Sequence, residues 1–189
     1  APAAGESGAG QAAQSTATGE PIKVGVSNMV TGPMAAGGIR MKQAITMAFE
    51  EINANGGVLG GRPLEMVLVD DTGTPTGAVN AVNKILGENV SVSIGPHTSP
   101  MASATQELYR KAGVPFITAA TSPKLLEAEN PYFFRISVSD GAVGPAMVEF
   151  AKDKFGVKKI GALYDTDDYG VAADGATKQY CADNGIEYY

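Results

Sequence analysis

Residues 41–69 read MKQAITMAFEEINANGGVLGGRPLEMVLV, and this stretch decides the fold. In its first half the apolar side chains recur with the spacing of one face of an amphipathic helix, from Met41 to Ile52. The pair Gly56-Gly57 predicts the end of that helix, because glycine adopts the left-handed conformation common at helix ends. The apolar run Leu64 to Val69 then predicts a strand, so the stretch is half of a βαβ unit.

The same alternation of strands and helices continues in both directions from this stretch. IKVGVS at residues 22–27 predicts the first strand, and later strands are predicted at 91–94, 114–118 and 160–164. Strands that alternate with helices indicate a parallel sheet covered by helices on both faces, an α/β fold of three layers. In the helix after the third strand, the spacing predicts a buried face made of Met101, Ala104, Leu108 and Ala112.

The chain makes a fresh start after Pro131, which predicts two lobes. The segment Arg135 to Asp140 is expected to be a hinge between a first lobe at residues 22–135 and a second lobe at 136–189. A lobe of about 50 residues is too small for an independent doubly wound domain, so the second lobe is expected to be incomplete. Residues 1–21 are almost wholly small and polar, and we expect a disordered tether there.

Composition excludes several classes of partner and cofactor. The net charge is −6 and no basic run is present, so nucleic acid is not an expected partner. One cysteine and one histidine give neither a disulfide nor an ordinary zinc site, and we expect no metal and no cofactor. The polar leader is typical of an exported protein whose signal peptide has been removed, and it would also suit a lipid-anchored protein.

The loops that follow the predicted strands are rich in hydroxyl groups and small side chains. They are NMVTGPMAAGG at residues 28–38, GPHTSP at 95–100, TAATSP at 118–123 and DTDDYG at 165–170. Ligands of open parallel sheets bind beyond the carboxyl ends of the strands, where helix amino termini offer free N–H groups to a carboxylate. Ser99, Thr121 and Ser122 are therefore candidates for ligand binding, but the same spacing is equally typical of ordinary helix caps.

Enzymatic motifs are missing from this sequence. No glycine-rich dinucleotide or P-loop motif follows a strand, and the acidic run at Asp165 lacks the oxygen ligands of a calcium loop. His97 has no nucleophile elbow around it, so a loop histidine satisfied by hydrogen bonds is expected rather than a catalytic one. Asp70 and Asp71 are expected to cap or form a turn. An enzyme is not predicted.

Taken in order, the motifs resemble the branched-chain amino-acid-binding family of type I periplasmic solute-binding proteins. The similar segments are TGPMAAGG, AFEEINANGGVLGGRPLEMVLVDDTGTP, AVNAVNKIL, SIGPHTS, YRKAGVPFIT, AATSP, FFRIS and LYDTDDYG, which span nearly all of the chain from Ile22 onward. The resemblance implies the type I periplasmic-binding-protein fold, two α/β lobes joined by a hinge that close on an amino acid or a related small carboxylate. It also implies an extracytoplasmic receptor that delivers this ligand to the membrane subunits of an ABC transporter.

Position by position, the resemblance implies a set of ligand-binding residues. Ser99 is expected to hold the ligand carboxylate, with Thr98 and Ala120 beside the site. Ala119 would offer its backbone carbonyl, and Thr121 its hydroxyl, to the ammonium group. Tyr169 of the second lobe would close over the ligand.

This sequence departs from the family pattern in two places. The family often has an aromatic residue where Gly37 stands, so the identity of the ligand as leucine, isoleucine or valine stays open. A proline that usually precedes the AAT segment is also missing. The family's acidic partner for the ammonium group falls later than Tyr189. A ligand-sensing domain of a signalling receptor or regulator with the same fold is the alternative function.

Overall fold

The computed structural model describes residues 17–189, and the greater part of the predicted tether at 1–21 lies outside the described residues. The first sheet contains five parallel strands in the order β2-β1-β3-β4-β5. Its strands are β1 (Ile22–Asn28), β2 (Leu64–Asp70), β3 (Val92–Ile94), β4 (Phe116–Thr118) and β5 (Phe133–Arg135). The strand order places β1 in the interior of the sheet beside β3, so the loops after β1 and β3 lie next to each other.

Three helices connect these strands, as the alternating pattern predicts. They are α1 (Ala35–Ala54), α2 (Pro75–Gly87) and α3 (Ser99–Ala112), and a short 3-10 helix (Pro123–Leu126) joins β4 to β5. Helix α2 lies so close to β1 that a side chain at Gly25 would overlap the Ile85 side chain. Glycine at this position therefore sets the distance between the helix and the sheet.

The buried face of α3 differs from the one predicted. Ala104 and Ala112 are exposed, while Thr105 and Tyr109 are fully buried. The Tyr109 ring stacks on Phe116 of β4 with 4.3 Å between ring centroids, and its hydroxyl lies 2.8 Å from the Ser93 hydroxyl in β3. Hydrogen bonding to a buried serine lets a tyrosine occupy the core, a pairing that apolar periodicity does not reveal.

A second, smaller sheet follows Arg135. It consists of β6 (Lys159–Ile160) and β7 (Glu187–Tyr188), which pair in parallel, with α4 (Asp140–Phe155) and α5 (Asp168–Asp183) packed together. The core of this part contains Val148, Cys181 and Ile186. The strand predicted at 160–164 is wrong in its extent: β6 covers only Lys159–Ile160, and residues 161–164 lie outside it and are exposed.

Several apolar side chains of α4 face outward, notably Val143, Met147 and Phe150. No helix in the described part of the chain combines the length and the hydrophobicity needed to cross a bilayer. The fold is thus an α/β arrangement with a parallel sheet, as predicted.

Candidate functional site

A cavity of about 580 Å³ opens beyond the carboxyl ends of the first-sheet strands. This volume lies within the usual range of small-molecule sites. Loops after four strands and the amino-terminal end of α5 contribute to its wall. The lining residues are Met34, Gly73, Pro75, His97, Thr98, Ser99, Pro100, Met101, Ala119, Ala120, Thr121, Asp165, Asp167 and Tyr169. All six residues predicted to bind ligand therefore lie around one cavity.

Ser99 connects two of the loops that form this cavity. It is the first residue of α3 and is almost fully buried, and its Oγ accepts a hydrogen bond from the Ser122 backbone N–H at 3.1 Å. The cap of α3 is Thr98, whose side chain makes no capping hydrogen bond. The capping interpretation of Ser99 is therefore wrong, and its hydroxyl proton is available to donate to another acceptor.

Hydrogen bonds join the backbone of the loop after β4 to the segment that leads to α4. The Ser137 hydroxyl donates to the Ala119 carbonyl at 2.9 Å, and the Asp140 backbone N–H donates to the Thr121 carbonyl at 3.0 Å. Arg135 donates to the Ser122 carbonyl at 3.2 Å. The predicted hinge segment thus holds the backbone of this cavity-lining loop in place.

The hydroxyls of this loop do not cap a helix. Ser122 precedes the short 3-10 helix but makes no side-chain cap there, and its hydroxyl instead donates to the Asp168 carbonyl in α5 at 3.4 Å. No hydrogen bond joins the Thr121 hydroxyl to another described residue, although Thr121 lines the cavity. The loop therefore touches α5 through one hydroxyl and leaves another facing the cavity.

The amino-terminal end of α5 and the residues before it also line the cavity. Asp167 caps this helix, and its carboxylate accepts hydrogen bonds of 2.9 Å from the N–H groups of Tyr169 and Gly170. A side chain at Gly170 would overlap the Asp165 carbonyl, so glycine is required for this tight approach. The Tyr169 side chain remains 42% exposed and lines the cavity, which is unusual for a tyrosine held only by core packing.

Asp70 and Asp71 shape the loop after β2, as predicted for turn-forming carboxylates. Asp70 accepts hydrogen bonds from Thr31 and from the Thr72 backbone N–H. Burial acts to raise the pKa of Asp70, but these hydrogen bonds outweigh it and lower the pKa. Asp71 is fully buried, and burial raises its pKa.

His97 departs from its expected role as a satisfied loop histidine. Its Nδ1 atom is closed off from solvent and has no hydrogen-bond partner, although the ring lines the cavity. Burial lowers the pKa of His97, and the nearby Asp71 carboxyl acts in the opposite direction. Among the described residues no group of three or more acidic, cysteine or histidine side chains could hold a metal ion.

Sequence reasoning missed the other residues of the cavity wall. The predicted loops at residues 28–38 and 165–170 contribute Met34, Asp165 and Asp167 to the wall, although the pattern of those loops singles out none of these three side chains. Gly73 and Pro75 follow β2, and the loop after β2 is not among the predicted ones.

The family model for periplasmic binding proteins matches residues 21–189. The chain belongs to this family. Among relatives of this periplasmic binding protein is the leucine-, isoleucine-, valine-, threonine- and alanine-binding protein of Pseudomonas aeruginosa, 33% identical over 167 residues. That alignment covers 88% of the chain and 44% of the relative, so the chain spans about half the length of the curated relatives it matches.

Solved structures of similar proteins agree with this assignment. The leucine-binding protein LivK of Thermotoga maritima superimposes with a TM-score of 0.81 at 27% identity, over 89% of this chain and 47% of that one. A solute-binding protein of Rhodopseudomonas palustris in complex with 3,4-dihydroxybenzoic acid gives a TM-score of 0.79 at 25% identity, over 89% of this chain and 46% of that one. Similar structures of this family therefore include proteins named for an amino acid and one holding an aromatic acid.

Proposed function

We propose that this periplasmic binding protein is an extracytoplasmic receptor that captures an amino acid or a related small carboxylate and delivers it to the membrane subunits of an ABC transporter. The observation that carries this proposal is the single cavity that gathers Ser99, Thr121 and Tyr169 from three separate loops. The names of the relatives support an amino-acid ligand, and the P. aeruginosa protein is named for five of them.

We assign the ligand carboxylate to Ser99 and the start of α3. The Ser99 oxygen accepts the Ser122 N–H, and its hydroxyl proton is still free to donate, which suits an anionic acceptor. Thr98 and Met101 line the cavity at the same helix start. The first free N–H groups of a helix add positive potential there, and this potential favours a carboxylate over a neutral amide.

The ammonium group of the ligand is assigned to the loop after β4. The Ala119 carbonyl accepts the Ser137 hydroxyl, but a carbonyl oxygen has a second lone pair for an ammonium N–H. The Thr121 hydroxyl can accept another. Asp165 and Asp167 line the same cavity and add negative charge to it, which favours a ligand that carries a positive group.

Tyr169 is assigned to closure of the site. It stands in the first turn of α5 and lines the same cavity as Ser99, and the small, buried Ala120 lines it as well. In this proposal residues 22–135 form the first lobe and 136–189 the part of the second lobe in this chain. Residues 1–21 serve as a tether between this receptor and the outer face of the membrane.

The proposal is tested by calorimetric titration of the full-length protein, freed of bound ligand by partial unfolding and refolding. The twenty amino acids and a set of small carboxylates without an amino group are titrated in parallel. We expect at least one amino acid to bind with a dissociation constant in the micromolar range or below. If the carboxylates bind and every amino acid fails, the ammonium assignment is wrong. If nothing in either set binds, the receptor function is wrong.

A further inference from the structure

The cavity has two chemically different ends. The order of strands in the sheet places the loop after β4, with Ala119 and Thr121, on one side of β3 and the loops after β1 and β2 on the other. Ser99 faces the first side, because its Oγ bonds the Ser122 N–H. We call Ser99, Ala119 and Thr121 the hydroxyl end, and we call Met34, Gly73, Pro75 and His97 the His97 end.

The His97 ring offers an unused hydrogen-bonding edge to the cavity. Its Nδ1 is closed off without a partner, whereas Nε2 is not closed off, makes no hydrogen bond to a described residue, and belongs to a residue that lines the cavity. Asp71, fixed by the Ser27 hydroxyl and the Gly73 N–H at 3.0 Å each, is the carboxyl whose charge acts on this ring. The ring nitrogen that remains for a hydrogen bond in the cavity is Nε2, which donates or accepts according to the position of the ring proton.

The other side chains of the His97 end cannot satisfy that ring nitrogen. Met34 and Pro75 are apolar, and the Gly73 N–H is already bonded to Asp71. An amino acid with an aliphatic side chain would cover Nε2 of His97 and exclude the water that otherwise forms a hydrogen bond with this nitrogen. Leaving a buried polar group without a partner weakens binding by about ten- to a hundredfold.

We infer that His97 is a specificity-determining residue, and that this receptor prefers amino acids whose side chains carry a hydroxyl or amide group over aliphatic amino acids of the same shape. The inference rests on the proposed function, because the ligand carboxylate and ammonium must occupy the hydroxyl end for the side chain to reach His97. In this inference His97 selects for a polar ligand side chain, whereas the hydroxyl end binds only the carboxylate and ammonium groups that all amino acids share.

Isosteric ligand pairs test this inference by calorimetry on the full-length protein. Threonine is compared with valine, and asparagine with leucine, because each pair differs in polarity while the shape is nearly constant. We expect the polar member of at least one pair to bind about tenfold more tightly or better. His97→Leu should bring that ratio to one or invert it, and His97→Gln, which keeps a polar side chain, should retain a preference for the polar member.

Two results would overturn the inference. One is equal or tighter binding of the aliphatic member in both pairs by the natural protein. The other is an unchanged ratio in a folded His97→Leu variant. Either result leaves the proposed function standing, since amino acids still bind. Failure of every amino acid to bind refutes the proposed function itself, and the inference with it.

A second measurement needs no apolar variant and so does not depend on whether His97→Leu folds. The full-length protein is labelled with ¹⁵N-histidine, and the His97 ring nitrogens are assigned by their loss in His97→Gln. Saturation with the preferred polar ligand should shift the Nε2 resonance, because a new hydrogen bond at this nitrogen changes its shielding, and the aliphatic isostere should not shift it. An Nε2 resonance that moves equally with both ligands would contradict the contact.

Discussion

Replacing Ser99 with alanine tests the ligand-binding role of this hydroxyl against a purely structural one. The substitution removes the acceptor of the buried Ser122 N–H and, in our proposal, the donor to the ligand carboxylate. An unpaired buried N–H costs about 1 to 3 kcal/mol of unfolding free energy, which lowers the melting temperature by roughly 2 to 12 °C for a chain of this size. The lost hydrogen bond to a charged ligand group costs a further 1.5 to 3 kcal/mol, about ten- to a hundredfold in dissociation constant.

A lowered affinity by itself would not separate these two roles, so the assay uses two ligands. The amino acid that binds most tightly is compared with its C-terminal amide, in the natural protein and in Ser99→Ala, by calorimetry on the full-length protein. If Ser99 donates to the carboxylate, the variant loses more affinity for the acid than for the amide, and the preference for the acid shrinks. The matched control is Ser103→Ala, the same substitution at an exposed position one turn further along α3. It should change neither affinity nor melting temperature.

Wild-type affinity for the amino acid, together with a lowered melting temperature, would refute the reasoning. The same holds for an equal loss of affinity for acid and amide, because a change that merely loosens the loop after β4 weakens both ligands alike.

Three further predictions follow from other parts of the structure. Tyr169→Ala should weaken binding while changing the unfolding free energy by no more than about 0.5 kcal/mol. Tyr164 is similarly exposed, and Tyr164→Ala should leave binding intact. A sharp loss of stability with unchanged affinity would show that Tyr169 has a structural role. Gly25→Ala should cost about 1 to 3 kcal/mol in denaturant unfolding, because the new methyl group meets Ile85, and an unchanged midpoint would contradict the close packing of α2 on β1. Burial lowers the pKa of His97 in the folded state, so as the pH falls the unfolded state binds this proton first. His97 therefore contributes stability at pH values above the ordinary histidine pKa, and this contribution is lost as the pH falls below that pKa. His97→Gln should flatten this part of the stability curve between about pH 7 and 5, and an identical curve for the variant would show that His97 titrates normally.

The sequence by itself determined the order of elements and the family. The apolar spacing of residues 41–52 and the glycines after it correctly gave a helix that ends before β2, because these signals act within a few residues of chain. The loops that carry Ser99, Thr121 and Tyr169 could also be named, since the carboxyl ends of parallel strands meet at one edge of a sheet. Their roles in binding remain predictions.

Only the tertiary structure decided how those loops use their hydroxyl groups. Ser99 looked like a helix cap, but its oxygen accepts a hydrogen bond from the Ser122 N–H, 23 residues further along the chain. The buried face of α3 was mispredicted because Tyr109 finds a hydroxyl partner on β3, a strand that no local pattern connects to that side chain. His97 looked satisfied, yet its buried Nδ1 has no partner, and the buried Asp71 from a different loop is the carboxyl whose charge acts on the ring. Local propensity is set by neighbours along the chain, whereas the partner of a buried polar group is set by whichever distant segment the fold brings to it.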